Sequence, residues 1–364
     1  MDTNKKVGVI YLGKRGAGKA FADLFIRELQ KDEVLSFAVV SKYAGFEHAH
    51  SDLFMIRTPH KIIEIYLLPF FLIDILKVAI EITKKDKIAI ILPMASPTDL
   101  IASNLISMSG CSVFRIIHEL VAHKGESWPT RNGIKRRISS SSGLIFLSHA
   151  VESQYQEFQI TKSFKALPSI ALNHPILPRH PLTIVPTPAE FKDYALIIGR
   201  IHEYKGIDNF LQSWKKRTEF RAGKLIIAGE GKLSKKFMSE FEQHDDILLI
   251  NRWLSDSEFE YLIANSRVLV LPYLEASQSG IIPIGQRYQI PILLTNVGGL
   301  IEQVHTYPYF STYDQSDDPG RKIRLLIESA SKSSTKETVQ EKVEAEDTRE
   351  FISKILEFVN TIAP

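Results

Sequence analysis

Cysteine is nearly missing from this chain. Cys111 is the only one in 364 residues, which excludes an internal disulfide and a four-cysteine zinc site and fits a reducing cytosol. No Asp-x-Asp pair occurs to chelate a metal. A long uncharged apolar run is also lacking. The most apolar window, residues 62–82, holds Glu64, Asp74, Lys77 and Glu81, with Pro69 inside it. Each charge costs about 2.5–3.5 kcal/mol at a bilayer centre, which disfavours a span. The window reads instead as a core helix against a sheet, or as a helix lying in a membrane plane and ending at Lys84, Lys85 and Lys87. A signal peptide is not evident, because the apolar run 7–12 is short and runs into Gly13, Lys14 and Arg15. The expected location is cytoplasmic, at most peripheral on the inner face of the membrane. Neither sign of charge dominates: the net charge is +3, with 22 Lys+Arg against 16 Asp+Glu in residues 1–175 and 23 against 26 in the remainder. That excess is too small to argue for nucleic acid. It leaves an anionic membrane surface or a phosphorylated substrate open.

What is present is an ordinary globular composition, 44% hydrophobic and 24% charged, at a length that suits two domains. Short Val/Ile/Leu runs at 7–12, 37–40, 88–92, 113–117 and 144–147, then at 196–198, 225–228, 247–250, 268–271 and 292–294, alternate with amphipathic stretches. Strands without polar alternation belong to sheets covered on both faces, and the intervals leave room for crossover helices. The pattern is βαβ, written twice. Between the two sets, residues 167–188 hold six of the chain's 17 prolines, a density that neither a helix nor a central strand tolerates. We read it as a linker. A Ser/Thr/Lys/Glu-rich stretch at 331–346 precedes a terminal helix expected over 348–362.

Three loops carry candidate chemistry. The first strand enters Gly13-Lys-Arg-Gly16-Ala-Gly18-Lys19-Ala20, close to a P-loop but with Ala20 where that motif needs a hydroxyl for Mg²⁺. A glycine-rich turn that brings backbone N–H groups near a phosphate or sugar is the looser reading, and a purely structural turn is equally open. The strand at 196–198 enters Gly199-Arg200-Ile-His-Glu-Tyr-Lys205-Gly206, where two cations five residues apart can converge on one diphosphate. The strand at 268–271 enters Pro272-Tyr-Leu-Glu275-Ala-Ser277-Gln278-Ser279-Gly280. Its small residues precede an expected helix whose first N–H groups could hold an anion. Ser277 or Ser279 as a plain N-cap is the alternative.

In order, GRIHEYKG, LIIAGEG, NRWLSDSEFEYLIANS, VLVLPYLEASQSG and PILLTNVGGLIEQV resemble the donor domain of family-four retaining glycosyltransferases (group 1). The match runs through residues 196–304. The front half is similar only in outline, through its glycine-rich loop, Ile117-His118-Glu119 and SHAVESQY at 148–155. The resemblance implies an α/β protein of the GT-B fold, two Rossmann-like domains facing across an interdomain cleft. The expected divisions are an acceptor domain over 1–180, a donor domain over 181–325, and a segment at 326–364 whose helix packs back on the first domain.

By the same resemblance, Arg200 and Lys205 bind the donor diphosphate and act catalytically, and His118 lies near the transferred sugar. Gly16, Gly18, Gly199, Ser277, Gln278, Ser279 and Gly280 contribute to donor binding, and Arg252, Trp253 and Leu254 fall where the base is held. One departure stands out: the family's Glu-x₇-Glu pair falls on Ala276 and Ile284, and Glu275 sits one position early. The implied activity is retaining transfer of a sugar from a nucleotide-diphosphate sugar to a saccharide acceptor, lipid-linked, in bacterial surface polysaccharide assembly. No metal or other cofactor, no nucleic acid and at most peripheral membrane contact are implied. A P-loop ATPase or kinase, and a non-catalytic nucleotide-sugar-binding protein of the same fold, are the competing readings.

Overall fold

The computed structural model describes residues 6–14, 17–46, 53–60, 62–84, 88–121, 128–162, 165–177, 180–218, 223–232, 244–332 and 340–363. The chain forms two units. The first takes Met1–Ala122, Glu126–Asn173 and Glu346–Pro364, and the second is built on His174–Ala345. The division falls at 173/174 rather than at 180, and residues 326–345 stay with the second unit.

The first unit is a parallel sheet of seven strands: β1 (Val7–Tyr11), β2 (Leu35–Ser41), β3 (Leu53–Ile56), β4 (Ala89–Leu92), β5 (Ser112–Ile117), β6 (Gly143–Phe146) and β7 (Ser169–Ala171). Their order is β3-β2-β1-β4-β5-β6-β7. Helices α1 (Ala17–Lys31), α2 (Leu68–Thr83), α3 (Asp99–Ser107), α4 (Trp128–Ser139) and α5 (His149–Lys162) occur between the strands. Strands β1, β4 and β6 are buried end to end, so continuous Val/Ile/Leu runs are what the environment demands. Strand β7 occupies the start of the proline-rich stretch. It lies at the sheet edge, where the Pro168 carbonyl accepts from Leu144 N–H at 3.0 Å and the missing proline N–H is not needed.

Residues 62–82 form a turn of 3-10 helix (Ile62–Leu67) followed by α2, with Pro69 in the first turn, where a missing N–H costs least. Its inner face, Phe71, Ile75, Val78, Ala79 and Ile82, enters the core. Among the described residues no helix is long and apolar enough to cross a membrane.

The second unit is a parallel six-stranded sheet: β8 (Tyr194–Ile198), β9 (Lys224–Ala228), β10 (Ile247–Ile250), β11 (Val268–Leu271), β12 (Ile292–Leu294) and β13 (Phe310–Thr312), ordered β10-β9-β8-β11-β12-β13. Helices α6 (Ile207–Lys215), α7 (Asp256–Ala264), α8 (Ile281–Arg287) and α9 (Leu300–Val304) occur among its strands, and α10 (Pro319–Lys332) follows the last. Helix α6 is a plain amphipathic case: Ile207, Phe210, Leu211 and Trp214 are buried, while Asp208, Gln212 and Lys215 face water. Ser255 and Glu258 close a capping box at the start of α7.

A fully buried ion pair ties the linker to this unit. Arg287 of α8 meets Glu260 of α7 and also donates to the Leu177 carbonyl. Glu260 in turn accepts from His180 N–H at 2.6 Å.

The last helix, α11 (Gln340–Ile362), belongs to the first unit from residue 346 onward. Phe351 packs edge-on against Phe21 and Phe25, and Phe358 against Phe114. Ile355 and Val359 are fully buried.

Candidate functional site

In the second sheet the connections run one way from β8 to β9 and β10, and the other way from β11 to β12 and β13. Strands β8 and β11 are neighbours, so their following loops diverge and leave a crevice at the carboxyl ends, the usual ligand position in open parallel sheets. The two loops with candidate anion-binding residues are the ones that flank it.

After β8 the chain passes through Gly199, exposed Arg200 and half-buried His202. It then makes a single 3-10 turn, Glu203–Lys205, before α6. Gly206 joins that turn to α6 with φ +65, and a Cβ there would collide with the Pro272 carbonyl oxygen of the second loop. Only glycine permits both the left-handed conformation and the approach. The loops are further joined by Leu274 N–H donating to the Tyr204 carbonyl at 2.7 Å. The Lys205 ammonium lies 3.6 Å from the Tyr273 ring centre and 5.0 Å from that of Tyr204. This cation–π contact fixes the end of an otherwise flexible side chain.

Tyr273 is 2% exposed, and burial pushes its phenol well above the usual range. Its hydroxyl lies 3.2 Å from Ser279 Oγ. Gln303 of α9 clamps the same residue from the other side, accepting from Ser279 N–H at 2.7 Å and donating to its carbonyl at 3.2 Å. Helix α8 starts at Ile281 with Gly280 as its N-cap and no side-chain cap. Neither Ser277 nor Ser279 fills that role: the Ser279 hydroxyl is directed at Tyr273 instead.

The His202 imidazole stacks on Tyr204, and burial together with Arg200 and Lys205 holds it below the ordinary histidine value. Glu275 is exposed on the second loop. Behind the first loop, Gly229 at φ +141 lets the β9 end run against the Gly199 carbonyl, which packs these backbones closer than any side chain would allow.

The remaining donor-side candidates follow β10, two strands away from β8. Arg252 forks onto Glu258 at 3.0 and 2.7 Å, holding the Glu258 carboxyl down at about 2. The Trp253 indole is 55% exposed, whereas Leu254 is 7% exposed and belongs to the core. Of this trio Trp253 has the side chain most available to a ligand.

In the first unit, Gly16 lies outside the described residues. Gly18 sits in the first turn of α1 beside Tyr11 and Met94, and Lys19 lies 5.5 Å from the Phe46 ring centre. His118 follows β5 with Nε2 at 2.9 Å from the Pro93 carbonyl, and burial lowers its pKa. Among the described residues, no three His, Cys, Asp or Glu side chains gather in a metal-binding group.

Tyr273, Gln303, Tyr204 and His202 went unremarked in the sequence. Tyr273, Tyr204 and His202 lie inside the quoted motifs, but only the fold brings Tyr273 under Lys205. Gln303 also lies inside a quoted motif, PILLTNVGGLIEQV, and only the fold brings it to Ser279, 24 residues earlier.

Residues 192–328 match the family of glycosyl transferases group 1. No curated protein matches the whole chain in sequence. Among solved structures the chain is similar to HepE of Anabaena, crystallised with UDP and glucose, at 14% identity over 98% of this chain and 100% of that one, with a TM-score of 0.67. It is similar to sucrose-phosphate synthase from Thermosynechococcus elongatus at 13% identity, 98% and 96% coverage and a TM-score of 0.61. A third is WaaG, a glycosyltransferase involved in lipopolysaccharide biosynthesis, at 13% identity, 95% coverage of both chains and a TM-score of 0.56. The two parallel-sheet units are those of the GT-B fold.

Proposed function

We propose that this protein is a retaining glycosyltransferase that moves a sugar from a nucleoside-diphosphate sugar to a saccharide acceptor. The observation that carries the reading is the pair of loops at the β8/β11 divergence, with Arg200 and Lys205 on one, the small residues of 277–280 on the other, and Gly206, Tyr204 and Tyr273 locking the two together. Cleaving a glycosyl–phosphate bond builds negative charge on the departing diphosphate. Cations and N–H groups placed there stabilise the transition state more than the ground state. Arg200 supplies a fork for two oxygens and Lys205 a point charge, so neutralisation of the leaving group needs no metal in this scheme. We assign Glu275 and His118 to the transferred sugar, and Trp253 to the base.

Similarity to a protein crystallised with UDP makes a uridine diphosphate sugar the donor to test first. The acceptor we infer is a lipid-linked saccharide of bacterial surface polysaccharide assembly. It is supported by the family match and by the apolar, basic character of the first unit.

Thermal melts with UDP, GDP, ADP and their sugar conjugates test the donor site. A ligand at about 100 times its Kd adds roughly 2.7 kcal/mol and raises the midpoint by several degrees. A shift with one diphosphate nucleoside that persists in EDTA and disappears in Lys205→Ala supports the reading. A shift seen only with Mg²⁺ and ATP, removed by Lys19→Ala, refutes it. The anomeric configuration of the first product, read by NMR, tests retention.

A further inference from the structure

The proline-rich linker enters the second unit at His174 and runs alongside α8. At one end of that helix, its last residue Arg287, paired in the core with Glu260, donates to the Leu177 carbonyl. At the other end stands the His174 imidazole, with Nε2 3.9 Å from the position a Cβ on Gly280 would take. The lengths agree: three extended residues span about 10 Å and a helix of seven residues about 10.5 Å. The buried ion pair therefore fixes the register that brings His174 to Gly280. The ring is also oriented. His174 Nδ1 lies 2.8 Å from the Pro175 carbonyl oxygen, which can only accept, so Nδ1 carries a proton and Nε2 is the nitrogen beside Gly280.

Gly280 has φ −66 and ψ −7, a backbone that any residue adopts, so conformation does not demand glycine here. What its missing side chain leaves is room. Local chain apart, His174 Nε2 is the one heavy atom among the described residues within 4 Å of that Cβ position. The Arg200 loop approaches the same helix start, since a Cβ on Gly199 would lie 3.4 Å from Ile281 Cδ1.

We propose that His174 is a donor-binding residue, its Nε2–H donating to the diphosphate of the nucleotide sugar as that group passes over Gly280. The inference rests on the donor-site reading and deepens it, adding to Arg200 and Lys205 a third group that comes from the linker instead of either loop. A protonated imidazole donates from both nitrogens, Nδ1 to the Pro175 carbonyl and Nε2 to the ligand, and a phosphate beside it favours that form. Gly280 supplies clearance, because a methyl group there would stand in the space the diphosphate crosses.

Asparagine and glutamine divide the two nitrogens between them: the amide of Asn falls near Nδ1, and that of Gln near Nε2. The test is isothermal titration of UDP and of UDP-glucose into the wild type, Lys205→Ala, His174→Asn, His174→Gln and Gly280→Ala. His174→Asn should weaken UDP binding by about tenfold, as loss of one hydrogen bond to a charged group does, and His174→Gln should recover most of it. A merely structural histidine gives the reverse order, because Asn is the replacement that keeps the Pro175 contact. Gly280→Ala should weaken UDP binding by about tenfold or more while its thermal midpoint stays at or above that of the wild type, since the backbone accepts alanine. His174→Asn binding UDP like wild type, or His174→Gln binding it less well than His174→Asn, overturns the proposal. So does a His174→Asn protein weakened toward UDP-glucose alone, which would assign the imidazole to the sugar. Failure of the donor site shows separately: a wild type that binds no nucleoside diphosphate, or Lys205→Ala that binds UDP like wild type, overturns that reading and this inference with it.

Discussion

Replacing Tyr273 separates the loops' chemistry from their packing. The Lys205 ammonium lies 3.6 Å from the centre of a ring that is itself buried. A desolvated cation–π contact is worth about 2 kcal/mol, so losing it through Tyr273→Leu should weaken UDP binding about 30-fold. Tyr273→Phe keeps the ring and gives up only the hydroxyl contact with Ser279, about 1 kcal/mol or roughly fivefold. Isothermal titration of UDP into each variant measures both. The deciding comparison is the double variant Lys205→Ala/Tyr273→Leu. If the ring acts through the lysine, the double variant binds no worse than Lys205→Ala alone, because the second change removes an interaction already gone. Full additivity, or a Tyr273→Leu protein that binds UDP like wild type, would refute the argument. Melting curves control for the core: Tyr273→Leu should lose about 3 °C, corresponding to roughly 2 kcal/mol in a protein of this size.

Three further outcomes are expected. Lys205→Ala should lower turnover by about 10²–10³-fold while leaving the fold intact by circular dichroism, as removal of one transition-state charge donor does. Arg287→Met or Glu260→Leu alone should cost about 3–5 kcal/mol by stranding a buried charge, whereas the double variant should regain most of it, as read by urea denaturation. The third concerns pH. Burial, Arg200 and Lys205 hold His202 below its ordinary value, so it is neutral at pH 7. A bound diphosphate offsets those charges and favours its protonation, so UDP-glucose should bind more tightly as pH falls below the ordinary histidine value, and His202→Gln should flatten the profile. The same depression acts on stability in the opposite sense. Below the ordinary histidine value the unfolded chain takes up the proton more readily, so this contribution is lost as pH falls.

The parts of the fold legible in sequence were those written in contiguous hydrophobic runs. All ten strands read from the sequence exist, because parallel strands covered on both faces need unbroken apolar segments, and even β10, half-buried at the sheet edge, keeps one. Strands β3, β7 and β13 escaped notice for the complementary reason: each is three or four residues long and sits at the outer side of its sheet, where half-buried positions carry little pattern. Residues 62–82 were legible as a core helix, but their outward face was not, since a doubly apolar helix has no strong periodicity to show which side turns in. At the site, Arg200 and Lys205 stood out through motif order and position after a strand. The loss of the glutamate pair was equally visible. Beside exposed Trp253, the Leu254 side chain turns into the core, which its place in the quoted motif did not show. The Tyr273–Lys205 and Ser279–Gln303 contacts depend on strand order, which no single segment encodes.

The placement of α11 has a consequence for biosynthesis. Phe351, Ile355 and Val359 complete the hydrophobic core of the first unit, yet they emerge from the ribosome only after the whole second unit has been made. At roughly 5–20 residues per second, the intervening stretch takes on the order of ten to thirty seconds to synthesise. For that interval the first unit waits with Phe21, Phe25 and Phe114 uncovered, a surface suited to chaperone capture, while the unit translated later can finish first. Folding of the nascent chain thus runs against its direction of synthesis, and a chain stopped before residue 346 would leave the amino-terminal unit, not the carboxyl-terminal one, incomplete.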